Sequence, residues 1–169
     1  MREPQDRVRR FHEAMAQLGA RGDVGDPRDI GAHFGDDAAE LRARLIMEEA
    51  VEACIALTGS PKLTLDLFDA ARDAWSMKSG ARVDATYAAI AHELADLLVV
   101  TLGTAVAAGI DLSPVFAEVM AANERKCAPG ARVRADGKLL KPDGWVGPDI
   151  VGALRQASEQ HKRKSEESP

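Results

Sequence analysis

An acidic motif lies inside an apolar helical segment at residues 41–57, which read Leu41-Arg42-Ala43-Arg44-Leu45-Ile46-Met47-Glu48-Glu49-Ala50-Val51-Glu52-Ala53-Cys54-Ile55-Ala56-Leu57. Because residues three or four apart share a helical face, Glu49 and Glu52 project together, and Glu48 reaches the same side. The same spacing recurs in Glu93 and Asp96, within Ile90-Ala91-His92-Glu93-Leu94-Ala95-Asp96-Leu97-Leu98-Val99-Val100. This second segment is apolar nearly all round, which predicts a buried helix.

Acids in apolar helices require a positive partner. Burying an unpaired carboxylate is costly, or forces it to take up a proton, unless a cation or basic side chain compensates. Nearby basic residues are few, namely Arg42 and Arg44, upstream of the first pair. If the two helices pack antiparallel, four acids converge on an all-oxygen site suited to Mg²⁺ or Mn²⁺, with the predicted ligands Glu49, Glu52, Glu93 and Asp96. A solvated helix face is the alternative for the first group, whereas the apolar flanks of the second pair favour the metal site.

The composition predicts an all-α fold. A length of 169 residues suits one domain with a substantial core. Hydrophobic residues make up 46% of the chain but aromatic residues only 4%, and a core rich in alanine and leucine favours packed helices over sheets. The net charge of −5 comes without a basic stripe. This argues against a nucleic-acid backbone as partner but leaves open a nucleotide bound through metal.

Apolar periodicity, caps and breakers predict a bundle of four to five helices with a C-terminal arm. The predicted ranges are 4–18, 36 or 37 to about 57, 63–79, 84–108 and 113 to about 126, with a last helix over 149–160. Asp36 or Asp37 is the expected cap of the second helix, and Ser113 that of the helix beginning at Pro114. We expect residues 1–160 to form a single domain and the charged residues 161–169 to be disordered.

Between the last two helices the helical pattern gives way to residues typical of turns. Ala128-Pro129-Gly130 opens the segment, and Asp136-Gly137 predicts a tight turn between short extended arms. This pattern indicates a small hairpin or a lid, with Trp145 pinning the C-terminal arm.

Cysteine usage and the start of the chain predict a cytoplasmic protein. Cys54 and Cys127 match neither a metal-ligand spacing nor a disulfide framework, so we expect reduced thiols. Charged residues rather than an apolar segment follow Met1, and no apolar run lacks a charge for 18 residues. We therefore expect no membrane partner.

The acidic motifs and a later polar pair resemble a known superfamily. Glu48-Glu49-x-x-Glu52, Glu93-x-x-Asp96 and Asn123-x-x-Lys126 are similar to motifs of the all-α nucleoside triphosphate pyrophosphohydrolases, which include MazG proteins, dimeric dUTPases and phosphoribosyl-ATP pyrophosphohydrolases. The resemblance covers roughly residues 11–150, and the segments Asn123-Glu124-Arg125-Lys126 and Asp136-Gly137-Lys138-Leu139-Leu140-Lys141 look most like the MazG-like and phosphoribosyl-ATP pyrophosphohydrolase-like branch. Forty residues separate Glu52 from Glu93, more than in compact members, so the 63–79 helix looks like extra structure.

This resemblance implies hydrolysis of a nucleoside triphosphate between the α and β phosphates, which releases a monophosphate and pyrophosphate. The metal ligands would be Glu49, Glu52, Glu93 and Asp96, holding Mg²⁺ with Mn²⁺ as a substitute. Glu49 would also take part in catalysis, and Glu48 would orient or deprotonate the attacking water. The resemblance further implies that the substrate is bound by Asn123, Lys126, Lys138 and Lys141. It favours dUTP as substrate and nucleotide-pool sanitation as the role.

Three other interpretations stay open at this point. A di-iron carboxylate bundle needs Glu-x-x-His motifs, but Ile55 and Asp96 stand where the histidines would be. Only the free-energy cost of burying acidic side chains argues against a non-catalytic helical dimer. A phosphoribosyl-ATP substrate would place the chain in histidine biosynthesis. The apolar helix at 85–108 exposes more hydrophobic surface than one subunit easily covers, so we also expect a homodimer or homotetramer.

Overall fold

A computed structural model of the chain describes residues 2–20, 36–76, 86–134 and 138–166. Within these ranges the protein contains six α-helices: α1 (Arg2–Gln17), α2 (Asp36–Thr58), α3 (Pro61–Ser76), α4 (Tyr87–Ala107), α5 (Leu112–Glu124) and α6 (Ile150–Glu166). A 3-10 turn over Arg125–Cys127 follows α5, and an isolated antiparallel bridge pairs Val133 with Leu139. The predicted all-α class is confirmed, and the six helices correspond to the five ranges predicted for the bundle and to the last helix predicted over 149–160.

Contacts divide the chain into two compact units. The first comprises Met1–Pro27 and Ala95–Pro169, and the second comprises Arg28–Leu94. In the first unit α5 packs against α1 and α6, and in the second α2 packs against α3. Helix α4 belongs to the second unit up to Leu94 and to the first from Ala95. A single domain over residues 1–160 therefore stays a prediction.

A hydroxyl network forms the corner between α2 and α3. Gly59 has a φ of 64°, a left-handed conformation that suits glycine and ends α2. Thr64 is 0% exposed, and its hydroxyl lies 3.0 Å from that of Thr58. The Ser60 hydroxyl accepts from the Leu63 N–H at 3.2 Å and so caps α3. Pro61 is the first residue of α3, so the helix begins before the predicted start at residue 63.

The start of α5 and the end of α6 also differ from the predictions. Asp111, not Ser113, caps α5: its backbone is extended and its Oδ1 accepts from the Ser113 N–H at 2.9 Å. Helix α6 continues to Glu166, six residues past the predicted end, while 167–169 lie outside the described residues. Residues 21–35, the Asp36 and Asp37 side chains and the predicted Asp136-Gly137 turn also lie outside them.

The predicted burial of α4 is wrong for the single chain. Of its described side chains only Ala105 is buried, whereas Val99 is 67% and Val106 80% exposed. A helix that is apolar on all sides requires packing partners that bury its surface. Its sequence does not say whether these partners belong to the same chain or to another. By length and composition, Tyr87–Ala107 also qualifies as a membrane span, with a mean hydropathy of 1.5 in its best window. A single helix of this kind is weak evidence, because the core helices of soluble proteins pass the same test.

Candidate active site

Three predicted site residues lie in the middle of α2. Glu49 and Glu52 are one turn apart, Glu48 is four residues before Glu52, and all three side chains are exposed. The packing of α2 on α3 and the hydroxyl corner at its end fix this helix within the second unit. The residues therefore form one accessible acidic face, as their spacing predicts.

The second acidic pair lies in the first half of α4. Glu93 and Asp96 are again one turn apart, and the Glu93 side chain is 78% exposed. Its Oε1 lies 3.8 Å from Nδ1 of His92. Because Glu93 and Asp96 are exposed in the single chain, the predicted cost of burying them does not arise there. The case for a metal then depends on ligand chemistry and spacing.

The carboxylates of Glu49, Glu52, Glu93 and Asp96 are the type of ligand that binds a hard divalent cation. Carboxylate oxygens are the ligands that Mg²⁺ and Mn²⁺ prefer, and two pairs at a three-residue spacing supply four such groups. Among the described residues, however, no three His, Cys, Asp or Glu side chains lie close enough together to hold a metal. The convergence of the two pairs stays a prediction.

A polar pair lies at the end of α5. Lys126 Nζ donates to Asn123 Oδ1 at 2.7 Å, and both side chains are half-buried. An amide and an ammonium group side by side can bind a sugar hydroxyl or a phosphate oxygen.

The arm, residues 128–149 between the 3-10 turn and α6, is anchored by Trp145. Its Nε1–H donates to the backbone carbonyl of Ala122 at 2.9 Å, so the predicted pinning of the arm is confirmed. Two ammonium groups lie over its ring, Lys126 Nζ at 5.3 Å and Lys141 Nζ at 4.6 Å from the centroid. Gly144, with a φ of 74°, allows the turn that closes with the Trp145 N–H donating to the Pro142 carbonyl at 3.0 Å.

Three predicted substrate-binding lysines share one cavity on this arm. The cavity has a volume of about 410 Å³ and is lined by Lys126, Arg132, Arg134, Lys138, Leu139, Leu140 and Lys141. Sequence reasoning named the lysines but missed Arg132 and Arg134. The alternation in Arg132-Val133-Arg134 is the signal that could have identified them.

Comparison with known proteins places this arrangement in a family. The sequence profile of phosphoribosyl-ATP pyrophosphohydrolases matches residues 8–123, which include both acidic pairs. The chain belongs to the phosphoribosyl-ATP pyrophosphohydrolase family. No curated relative matches the chain.

The fold of this family member also occurs in a crystal structure. A protein from Exiguobacterium sp. 255-15, proposed to be an NTP pyrophosphohydrolase, superimposes with a TM-score of 0.73 at 24% identity, over 95% of this chain and 97% of that one. This likeness shows the fold alone. The profile match confirms the resemblance to the pyrophosphohydrolase superfamily, and family membership supports a pyrophosphohydrolase activity, that is, a hydrolase acting on acid anhydrides.

Proposed function

We propose that this chain is a Mg²⁺-dependent nucleoside triphosphate pyrophosphohydrolase that cleaves between the α and β phosphates. One observation carries the proposal: exposed carboxylates stand three residues apart on both α2 and α4, inside the region that the family profile matches. The metal ligands would be Glu49, Glu52, Glu93 and Asp96. When bound, Mg²⁺ would neutralise phosphate charge and acidify a coordinated water, and Mn²⁺ is the expected substitute.

The chain's own groups have distinct roles in this proposal. Glu48 orients the attacking water or accepts its proton, and Glu49 supports this step from the adjoining position. Asn123 and Lys126, already in contact, bind the sugar or a phosphate oxygen. Lys138 and Lys141 contribute point charges to the phosphates from the arm.

Among nucleotides, dUTP is our preferred substrate, and nucleotide-pool sanitation the corresponding role. The family description supports a second candidate, phosphoribosyl-ATP, which would place the protein in histidine biosynthesis. Both substrates would lose pyrophosphate at an α–β anhydride, so the same acids serve either reaction. Selectivity between them depends on contacts to the base and sugar.

A homodimer is the proposed working form, with a homotetramer as the larger alternative. The exposed apolar side chains of α4 would contact a second copy rather than solvent or lipid. We propose a cytoplasmic location, with neither membrane nor nucleic acid as partner. If no nucleotide is cleaved and no metal binds, the remaining interpretation is a non-catalytic helical dimer.

The decisive experiment measures pyrophosphate release from nucleoside triphosphates and phosphoribosyl-ATP, with Mg²⁺, with Mn²⁺ and with EDTA. We expect metal-dependent cleavage of dUTP by the wild type and a loss of at least about a hundredfold in Glu49→Gln. Glu40→Gln is the matched control, because Glu40 is an exposed acid of α2 outside the motif.

Each result has a clear meaning. Cleavage of phosphoribosyl-ATP alone would select the second candidate. Metal binding in calorimetry without turnover would show a true metal site with a substrate outside the panel. The absence of both metal binding and turnover would reject the enzyme proposal.

A further inference from the structure

The indole of Trp145 is fixed against the end of α5. Its Nε1–H donates to the backbone carbonyl of Ala122 at 2.9 Å, and Ala122 is only 1% exposed. Directly after the ring, Arg125 Nη2 donates to the carbonyls of Val146 and Gly147 at 3.3 and 3.4 Å. The position of the ring is therefore set twice, by a hydrogen bond from its own side chain and by hydrogen bonds to the backbone that follows it.

Two ammonium groups from different parts of the chain lie over this ring. Lys126 belongs to the 3-10 turn after α5, and its Nζ is 5.3 Å from the ring centroid. Lys141 belongs to the arm, and its Nζ is 4.6 Å from the same centroid. Both distances are within the range of about 6 Å over which an aromatic face attracts a cation. One side chain thus brings together a cation next to α5 and a cation of the arm.

The ring restrains two side chains that are flexible by nature. A lysine carries a point charge on a four-carbon stem, and fixing that stem costs side-chain entropy. Lys126 Nζ also donates to Asn123 Oδ1 at 2.7 Å, so the amide oxygen and the ring together define where its charge lies. Lys141 is exposed, and the ring gives its ammonium group a preferred position. Cations that are positioned before a ligand arrives lose less entropy when it binds.

We propose that Trp145 is a positioning residue for nucleotide binding, which holds the Lys126 and Lys141 ammonium groups where both contact one triphosphate. This inference rests on the proposed function, which assigns the two lysines to the substrate. Trp145 itself contacts no substrate atom and acts through the electron-rich face of its ring. The family match ends at residue 123, so the ring and both lysines lie outside the matched region.

A fluorinated tryptophan series tests the role of the ring face. Fluorine atoms withdraw electron density from the face and weaken its attraction for cations, while the Nε1–H donor remains. The chain has two tryptophans, so Trp75→Phe makes Trp145 the sole labelled position. The KM for dUTP, or for phosphoribosyl-ATP if only that is cleaved, should rise with each added fluorine, by at least about fivefold over the series. The kcat should change less than about twofold, because the lysines bind substrate and transition state alike.

Matched backgrounds show whether the ring acts through the lysines. With Lys126→Met and Lys141→Met combined, KM is higher from the start, and fluorination should no longer change it. Arg125→Met removes a neighbouring cation whose bonds run to the carbonyls of Val146 and Gly147, so the dependence on fluorine should persist there. A dependence that survives the loss of both lysines would overturn the inference and indicate direct contact between the ring and the substrate. Circular dichroism verifies that every variant is folded.

Nuclear magnetic resonance detects the ring contacts without any nucleotide. Methylene protons beside an ammonium group over an indole face should be shifted upfield by the ring, and Lys126→Met and Lys141→Met should each remove one such set. Absence of these signals, or a KM that is independent of fluorination in an enzyme that cleaves nucleotides, would reject the positioning role and leave the proposed function intact. A wild type that cleaves no nucleotide would instead reject the proposed function, and the positioning role with it.

Discussion

Arg7 of α1 binds both carboxylate oxygens of Glu124 at the end of α5. Its Nε lies 2.7 Å from Oε1 and its Nη2 lies 2.8 Å from Oε2, while Nη1 donates to the Ala117 carbonyl at 3.1 Å. This bidentate geometry links two helices within the first unit. Glu124 directly follows Asn123, so the pair also fixes the end of the helix that carries the proposed substrate-binding residues.

The first prediction concerns the strength of this link. Arg7→Ala should lower the free energy of unfolding by about 1 kcal/mol, the upper range for a partly exposed ion pair. The side chains are 27% and 43% exposed, so solvent screens the pair. Urea unfolding measures the change. Arg7→Lys should recover only part of it, because an ammonium group cannot form the paired contact. Lys62→Ala, which breaks a more exposed pair with Asp66, should have no measurable effect.

The second prediction is a pH dependence. The hydrogen bond from Arg7 holds the pKa of Glu124 below its usual range. The folded state therefore favours the carboxylate, and the resulting stability is fully present above the unfolded pKa of about 4.3. It is lost as the pH falls through the lower, folded pKa. The difference in unfolding free energy between wild type and Glu124→Gln should be constant from pH 7 to 5 and shrink below pH 4. A difference that grows on acidification would contradict this assignment.

A third prediction distinguishes the two possible caps of α5. Asp111 Oδ1 accepts from the Ser113 N–H, so Asp111→Ala should cost about 1 kcal/mol of unfolding free energy. Ser113→Ala should cost clearly less, because Ser113 lies inside the helix. Thermal and urea unfolding of the two variants give the comparison. A larger loss of unfolding free energy in Ser113→Ala than in Asp111→Ala would instead support Ser113, the cap that the sequence predicts.

The fourth prediction concerns the corner that ends α2. The Thr64 hydroxyl is buried beside that of Thr58, which is also 2.9 Å from the Cys54 carbonyl. Thr64→Val keeps the shape but removes a buried hydrogen bond, so it should cost about 1 kcal/mol. Thr64→Ser, the control, keeps the hydroxyl and loses only a methyl group. Urea midpoints should rank wild type above both variants, with an unchanged denaturant slope.

How much the sequence could predict depends on the range of the interactions involved. The helices and the spacing of Glu49 with Glu52 follow from periodicity, which is local. Asp111 was missed because Ser113 before Pro114 is an equally good cap by residue type. The bridge between Val133 and Leu139 depends on the strand register, which the local pattern does not specify. The residues that pack against the apolar surface of α4 are distant in sequence or belong to another chain, and periodicity cannot identify them.

The last prediction tests what covers α4. If a second copy does, the wild type should have twice the 18.1 kDa chain mass in light scattering at micromolar concentration. Val99→Lys should shift it toward monomer, since a charge buried in an apolar interface is costly. Val146→Lys is the control, because Val146 is 70% exposed but lies on the arm. A tetramer would fit the larger proposed assembly. A monomeric wild type would reject self-association, and flotation with lipid vesicles would instead assign the apolar surface of α4 to a membrane.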